Sequence, residues 1–216
     1  MRRYQLTADP RQLPKLSLRT EGVTGPFVGE QLHNIAPGAT VPVIYRAAGG
    51  ATLTPFRWGM VYNRRQARSI RAATLFSEAA RHLRQPCLFP ATGFYEWEFG
   101  LDGQPYLFQL REGAGMFLIA GVWQLWQSPH GPVRTAAAVT TRPNEMLAQL
   151  TDRMPVILDA AGALAWLERP EFDHCAAVHR GRLEAIPISP LINDPENNAP
   201  RFIQRVPGRR RGKPLW

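Results

Sequence analysis

Twenty prolines run from Pro10 to Pro214 through a chain of 216 residues. Proline fixes φ and removes a backbone donor, so a helix interior that carries one kinks or breaks. A chain punctuated this way folds from short elements, and a bundle of long helices is excluded. Between the breakers two patterns alternate. Val41 to Tyr45, Tyr106 to Leu110, Met116 to Trp123, Arg134 to Thr140 and Pro155 to Leu158 read as strands. Phe76 to Leu83 repeats apolar side chains at helical spacing, with Ser77 and Glu78 near its start, and predicts a helix. Asn144 to Leu150, entered through Thr141-Arg142-Pro143, and Ala160 to Leu167 predict two more. Short helices among hairpin-like strands point to an α+β domain with a mostly antiparallel sheet.

The length suits one domain, and residues 1–204 are read as that domain. Residues 205–216 carry five basic side chains among Pro207, Gly208 and Pro214, which predicts a disordered basic tail. No apolar run approaches the roughly 20 residues of a membrane helix. Tyr4 to Lys15 offers no signal-peptide core. Two cysteines, Cys87 and Cys175, make no disulfide framework, and the five histidines show no metal spacing. The expectation is a reducing, cytoplasmic setting and a monomer without metal, cofactor or membrane partner.

Charge narrows the partner. Lys and Arg number 26 against 17 Asp and Glu, a net charge of +9, and every basic residue except Lys15 and Lys213 is arginine. The guanidinium is a planar fork of donors that matches phosphate. Such an excess favours a polyanion, nucleic acid first, although a genome rich in G and C gives the same preference for Arg over Lys.

The chemistry concentrates at Gly93-Phe94-Tyr95-Glu96-Trp97, where one carboxylate stands among aromatic rings. Met1-Arg2-Arg3-Tyr4, His33-Asn34-Ile35-Ala36-Pro37, Trp58-Gly59-Met60, Arg71-Ala72-Ala73-Thr74, Gly121-Val122-Trp123 and Asp152-Arg153-Met154-Pro155 surround it in order along the chain. Together these pieces resemble the SRAP family, the abasic-site processing proteins also called SOS response-associated peptidases. The resemblance implies a single barrel-like, mostly antiparallel sheet flanked by short helices. It also implies a site in which an unblocked N-terminal cysteine, following Met and preceding Gly-Arg-Tyr, attacks a ring-opened abasic site. Its α-amine forms a Schiff base and its thiol then closes a thiazolidine; exposing that cysteine is the autoproteolysis behind the peptidase label.

Of the four groups the resemblance assigns to catalysis, Glu96 alone is kept. Ser69 stands at the position of an Asn, Thr151 at that of a His, and the cysteine has no counterpart because Arg2-Arg3 covers Cys-Gly-Arg with one residue fewer. Hydroxyls hydrogen-bond but do not titrate near neutrality, so proton transfer by those two positions is gone. Among substitute nucleophiles, Cys87 reads as a core thiol, and Cys175 beside His174 is adjacent in sequence without being a dyad. Lys15 and Lys213 fall outside every motif. The Met1 α-amine remains, since an ordinary α-amine titrates at about 7.7–8.0 and keeps a neutral fraction at physiological pH. Glu96 has a bland alternative as a buried acid paired with an arginine such as Arg71.

By the same resemblance Arg3 and Arg71 hold phosphates of single-stranded DNA, and Asn34, Pro37, Trp58 and Phe94 line the cleft. Rings that stack on bases beside arginines that track the backbone are the ordinary means of single-strand binding, with core packing the alternative for Trp58. The expected function is binding of single-stranded or junction DNA at abasic sites in a DNA-damage response, with thiazolidine crosslinking and autopeptidase activity lost. Whether any enzymatic step survives is left open between that reading, a Schiff base through Met1, and a phage-related pseudoenzyme that binds protein.

Overall fold

The computed structural model describes residues 1–13, 16–22, 31–62, 65–83, 85–98, 103–111, 115–175 and 183–207. In chain order the strands are Arg3–Leu6 (β1), Arg19–Thr20 (β2), Leu32–Ile35 (β3), Thr40–Ala47 (β4), Gly50–Trp58 (β5), Met60–Tyr62 (β6), Arg65–Ala67 (β7) and Ser69–Arg71 (β8). They continue as Pro86–Ala91 (β9), Gly93–Trp97 (β10), Pro105–Leu110 (β11), Phe117–Ser128 (β12), Gly131–Thr141 (β13), Met154–Pro155 (β14), Ile157–Leu158 (β15) and Leu183–Pro187 (β16). The α-helices are Ala72–Leu75 (α1), Glu145–Ala148 (α2) and Ala160–Glu168 (α3).

A five-stranded ring organises the molecule. β5, β4, β9, β12 and β13 pair antiparallel in turn, and β13 returns to β5 in parallel, with Thr135 beside Arg57 and Ala136 beside Trp58. Closure removes the open edges that strands otherwise expose. The ring strands bury both faces. Val41, Val43, Phe56, Phe89, Ile119, Ala136 and Ala138 share one core. Ile44, Leu53, Leu88, Leu118, Ala137 and Val139 belong to a second, to which Ala72 and Leu75 of α1 and Ala163 and Trp166 of α3 contribute. Small residues set the spacing where layers meet. A Cβ at Gly121 would fall 2.5 Å from Cε2 of Phe89.

The second sheet runs β16-β11-β10-β1-β3 and carries the N-terminus. Strand alternation gives it two different faces. Tyr4, Leu6, Phe94, Tyr106 and Phe108 join the first barrel core. Tyr95, Trp97 and Leu107 pack instead with Ile188, Ile192 and Phe202. The α+β, mostly antiparallel, single-domain expectation therefore holds, with strand the larger part.

Local differences have local causes. Where a helix is expected over Phe76–Leu83 the chain forms a 3₁₀ segment, Glu78–Leu83, and the one α-turn, α1, ends before it at Leu75. Ser77 donates through Oγ to the Thr74 carbonyl at 2.6 Å, a local bond that competes with helix propagation. The other two helices start at good caps: Asn144 accepts from the Leu147 N–H at 2.9 Å and Asp159 from the Gly162 N–H at 2.8 Å. At the C-terminal side Arg205 bridges Ile188 and the Val206 N–H bonds to the Pro187 carbonyl, so pairing continues past residue 204. Residues 208–216 of the expected tail lie outside the described residues.

Candidate functional site

β1 lies between β10 and β3, with Arg3 opposite Tyr95 and Tyr4 opposite Phe94. That register carries the residue before Arg2 toward Glu96. The Met1 ammonium sits 3.1 Å from Glu96 Oε1, and the two side chains are 0% and 3% exposed. Arg2, partly exposed, places its Nε 3.9 Å from Glu96 Oε2. Glu96 Oε1 accepts no well-aligned hydrogen bond from the described residues, so its charge is held by the ammonium. The Met1 side chain packs in the same core as Leu147 and Met154. Glu96 is thus paired with the chain terminus, while Arg71, the alternative partner considered from sequence, pairs with Asp152. The glycine of the motif is steric: a Cβ at Gly93 would lie 2.6 Å from Leu107 Cδ1 and 3.1 Å from the Phe108 carbonyl oxygen.

Arg3 and Asn34 point into the protein. Arg3 donates through Nη1 to Asn34 Oδ1 at 3.1 Å and to the Ile192 carbonyl at 2.6 Å, and through Nη2 to the Asn193 carbonyl. Asn34 Nδ2 donates to the carbonyls of Ile192 and Asp194 at 3.0 and 2.8 Å. Burial pulls the Arg3 guanidinium below its ordinary pKa, offset in part by Asp194 and Tyr95. These two side chains clasp the segment after β16 to the sheet. Trp58 and Phe94 are also interior. Both are fully buried, Trp58 donating through Nε1 to the Arg68 carbonyl at 2.9 Å and Phe94 stacking on Phe108 at 5.2 Å. The expectation that these rings face an open cleft is corrected by ring closure, which encloses Trp58, and by the packing of β10 on the barrel, which encloses Phe94. Pro37 is exposed at the turn after β3.

Arg71 opens elsewhere, onto a cavity of about 1140 Å³ that Arg142 and Arg153 also line. Ser69 begins the strand that ends at Arg71 and sits beside Ala138. Thr151 follows α2, its N–H bonded to the Leu147 carbonyl at 2.9 Å. Asp152 divides the arginines: it pairs with Arg71 and also accepts from Arg153 Nε at 2.9 Å. The hydrogen bond from Arg153 is the first cause that holds the Asp152 carboxyl below its usual range. Arg142 is exposed and makes no hydrogen bond or ion pair to the described residues, so its guanidinium is available. Arg142, Arg153 and Asp152 were not singled out as site residues from sequence. The signal was there for Arg153, inside Asp152-Arg153-Met154-Pro155, and for Arg142 only in the general arginine excess.

Neither Cys87 nor Cys175 presents an exposed thiol. Both are buried, and burial pushes the Cys87 thiol well above its ordinary value and Cys175 up to about 12. His174 accepts from the Glu171 N–H rather than engaging Cys175. Lys15, Lys213 and His179 lie outside the described residues. Among those residues no cluster of three His, Cys, Asp or Glu is placed to hold a metal, and no helix is long and apolar enough to cross a membrane.

His33 is buried, neither ring nitrogen has a hydrogen-bond partner among the described residues, and desolvation lowers its pKa. The unfolded chain takes up this proton near pH about 6.5, while the folded chain resists it, so His33 subtracts stability as pH falls below that value. Thermal melts from pH 7 to pH 5 are expected to drop less for His33→Gln than for wild type. Equal drops would remove His33 as a source of acid sensitivity.

A sequence profile described as SOS response associated peptidase (SRAP) matches residues 2–195. The abasic site processing protein YoqW of Bacillus subtilis is 30% identical over 194 residues, covering 80% of this chain and 85% of its own. The abasic site processing protein HMCES of Gallus gallus is 27% identical over 142 residues, 54% of this chain and 42% of its own. A crystal structure of a protein from Bacteroides thetaiotaomicron superimposes with a TM-score of 0.77 at 20% identity, over 95% of this chain and all of that one, which supports the fold.

Proposed function

Because this chain belongs to the SOS response associated peptidase (SRAP) family, we propose that it binds single-stranded DNA at abasic sites without forming the thiazolidine crosslink. The cavity carries this reading. Three arginines, Arg71, Arg142 and Arg153, converge on one opening large enough for a nucleotide, and phosphate recognition by guanidinium supplies most sequence-independent affinity. The former chemical centre plays a different part. Met1 and Glu96 form a buried, mutually neutralised pair, and a methionine thioether has no S–H with which to close a ring.

Fluorescence anisotropy with a single-stranded oligonucleotide, with and without one abasic site, tests it. Three phosphate contacts give log K a slope against log salt of about −2. Binding that is absent, or insensitive to salt, sinks the proposal. Asp152→Asn is expected to tighten binding a few-fold at low salt, because it frees Arg71 and Arg153 and removes a repelling charge. The gain shrinks as salt screens the exposed pair. An affinity unchanged at every salt concentration would remove Asp152 as a competitor for the arginines.

One observation favours a second reading. Counting back from Arg3-Tyr4, Met1 falls where the family's processed cysteine stands before Gly-Arg-Tyr, and its α-amine meets the retained glutamate at 3.1 Å. With its proton passed to Glu96, that amine has the lone pair needed to attack the C1′ aldehyde and, with loss of water, form an imine. Borohydride reduction distinguishes the two, since an imine alone is trapped as a stable amine.

A further inference from the structure

We propose that Phe172 is a base-stacking platform at the mouth of the arginine cavity, a role that rests on the DNA-binding reading above. Single-strand binding sites need rings as well as charge, and Trp58 and Phe94 have no free face. Phe172 lines the same cavity as Arg71, Arg142 and Arg153, and it is 53% exposed. An exposed phenylalanine beside converging guanidinium groups matches the chemistry of a nucleobase attached to its phosphate.

The ring is also held. Phe76 meets it edge-to-face at 5.8 Å with an interplanar angle of 90°. Phe76 in turn meets Trp166 at 6.3 Å, and Trp166 is fixed by a 2.9 Å bond from Nε1 to the Gly121 carbonyl of β12. A relay of rings therefore runs from the barrel wall to the cavity mouth. Phe172 opens a 3₁₀ turn whose last residue, Cys175, is buried, which anchors the backbone beneath it. A ring fixed in this way loses little side-chain freedom when a base settles on it.

The site selects for a planar base next to a phosphate, in a strand whose bases are unpaired and free to stack. A single-stranded oligonucleotide carrying one 2-aminopurine is the probe, its fluorescence reporting stacking and its anisotropy reporting affinity. Wild type quenches the probe on binding. Phe172→Ala and Phe172→Leu are both expected to lose the quench and about 10-fold in affinity, with the salt slope unchanged because the phosphate contacts remain. Phe172→Trp keeps both signals. Leucine preserves apolar packing against Phe76 without a π face, so loss by alanine with retention by leucine would make the residue a packing element and overturn the proposal. Wild-type affinity in all three variants overturns it too, while leaving the DNA-binding reading intact. A wild-type protein that does not bind the oligonucleotide sinks that reading and this one together.

Discussion

Replacing Arg2 by Cys-Gly, together with Ser69→Asn and Thr151→His, is expected to produce a protein that forms a denaturation-resistant adduct with abasic single-stranded DNA, where none is expected of the wild-type chain. The expectation follows from register. β1 is locked by the pairing of Arg3 with Tyr95 and Tyr4 with Phe94, and Arg3 is tied to Asn34 and the Ile192 carbonyl. One inserted residue therefore extends the chain outward from a fixed point. Once the initiator methionine is removed, the new cysteine occupies the place of Met1 beside Glu96. Its amine condenses with the aldehyde, and its thiol adds to the imine carbon to close the ring. The restored histidine, a proton-transfer group, is worth about 10²–10⁴ in rate, and the restored asparagine a hydrogen bond, so the variant with Cys-Gly alone reacts more slowly than the triple variant. A denaturing gel without reductant reads the result. If the triple variant is folded, binds DNA and still gives no shifted band, the site has lost more than these groups. A wild-type band that appears only with borohydride would instead make the Met1 amine a working nucleophile.

Glu96→Ala has the largest expected effect on stability. The carboxylate and the ammonium it faces are both buried, and breaking a buried pair leaves an uncompensated charge at about 3–5 kcal/mol. For a domain of this size that lowers Tm on the order of 10 °C. Glu96→Gln keeps the shape and loses the charge, so it should show most of the same loss. Were glutamine to melt with wild type, the ion pair would contribute little and the packing of β10 would carry the position. The two experiments address different properties of one contact: the first asks what the terminus can react with, the second what it holds together.

Much of the fold is legible in the sequence, and less of the site. Proline spacing and the apolar runs mark short elements, and the segments Asn144 to Leu150 and Ala160 to Leu167 are both legible as helices. The end of β12 is not marked, because Gln124, Gln127 and Ser128 interrupt the apolar pattern just where the hairpin with β13 leaves the core. Glu96 stands out from its aromatic setting, but its partner does not, since nothing local says that β1 will lie beside β10. Trp58 and Phe94 look like stacking rings for the same reason: an aromatic has one composition whether it faces solvent or core, and closure of the barrel decides which. Phe172 lies outside every motif and becomes a candidate only when folding places it beside the same cavity as Arg71 at the end of β8, Arg142 just after β13 and Arg153 just before β14.

The join between β13 and β5 bears on how the chain is made. Arg57 meets Thr135 there, while β2 pairs Thr52 and Leu53 on the same side, so the end of β5 waits on one side for a partner that is synthesised much later. At about 5–20 residues per second, a ribosome leaves that strand half-paired for several seconds. During that interval Trp58 and Phe56 have not yet been enclosed, and the nascent chain offers a sticky edge to any neighbouring strand. Contacts so distant in sequence also slow folding once synthesis ends. The seam that protects the finished barrel from aggregation is therefore the last of the ring's pairings that synthesis allows, and the wait for it is a period of exposure.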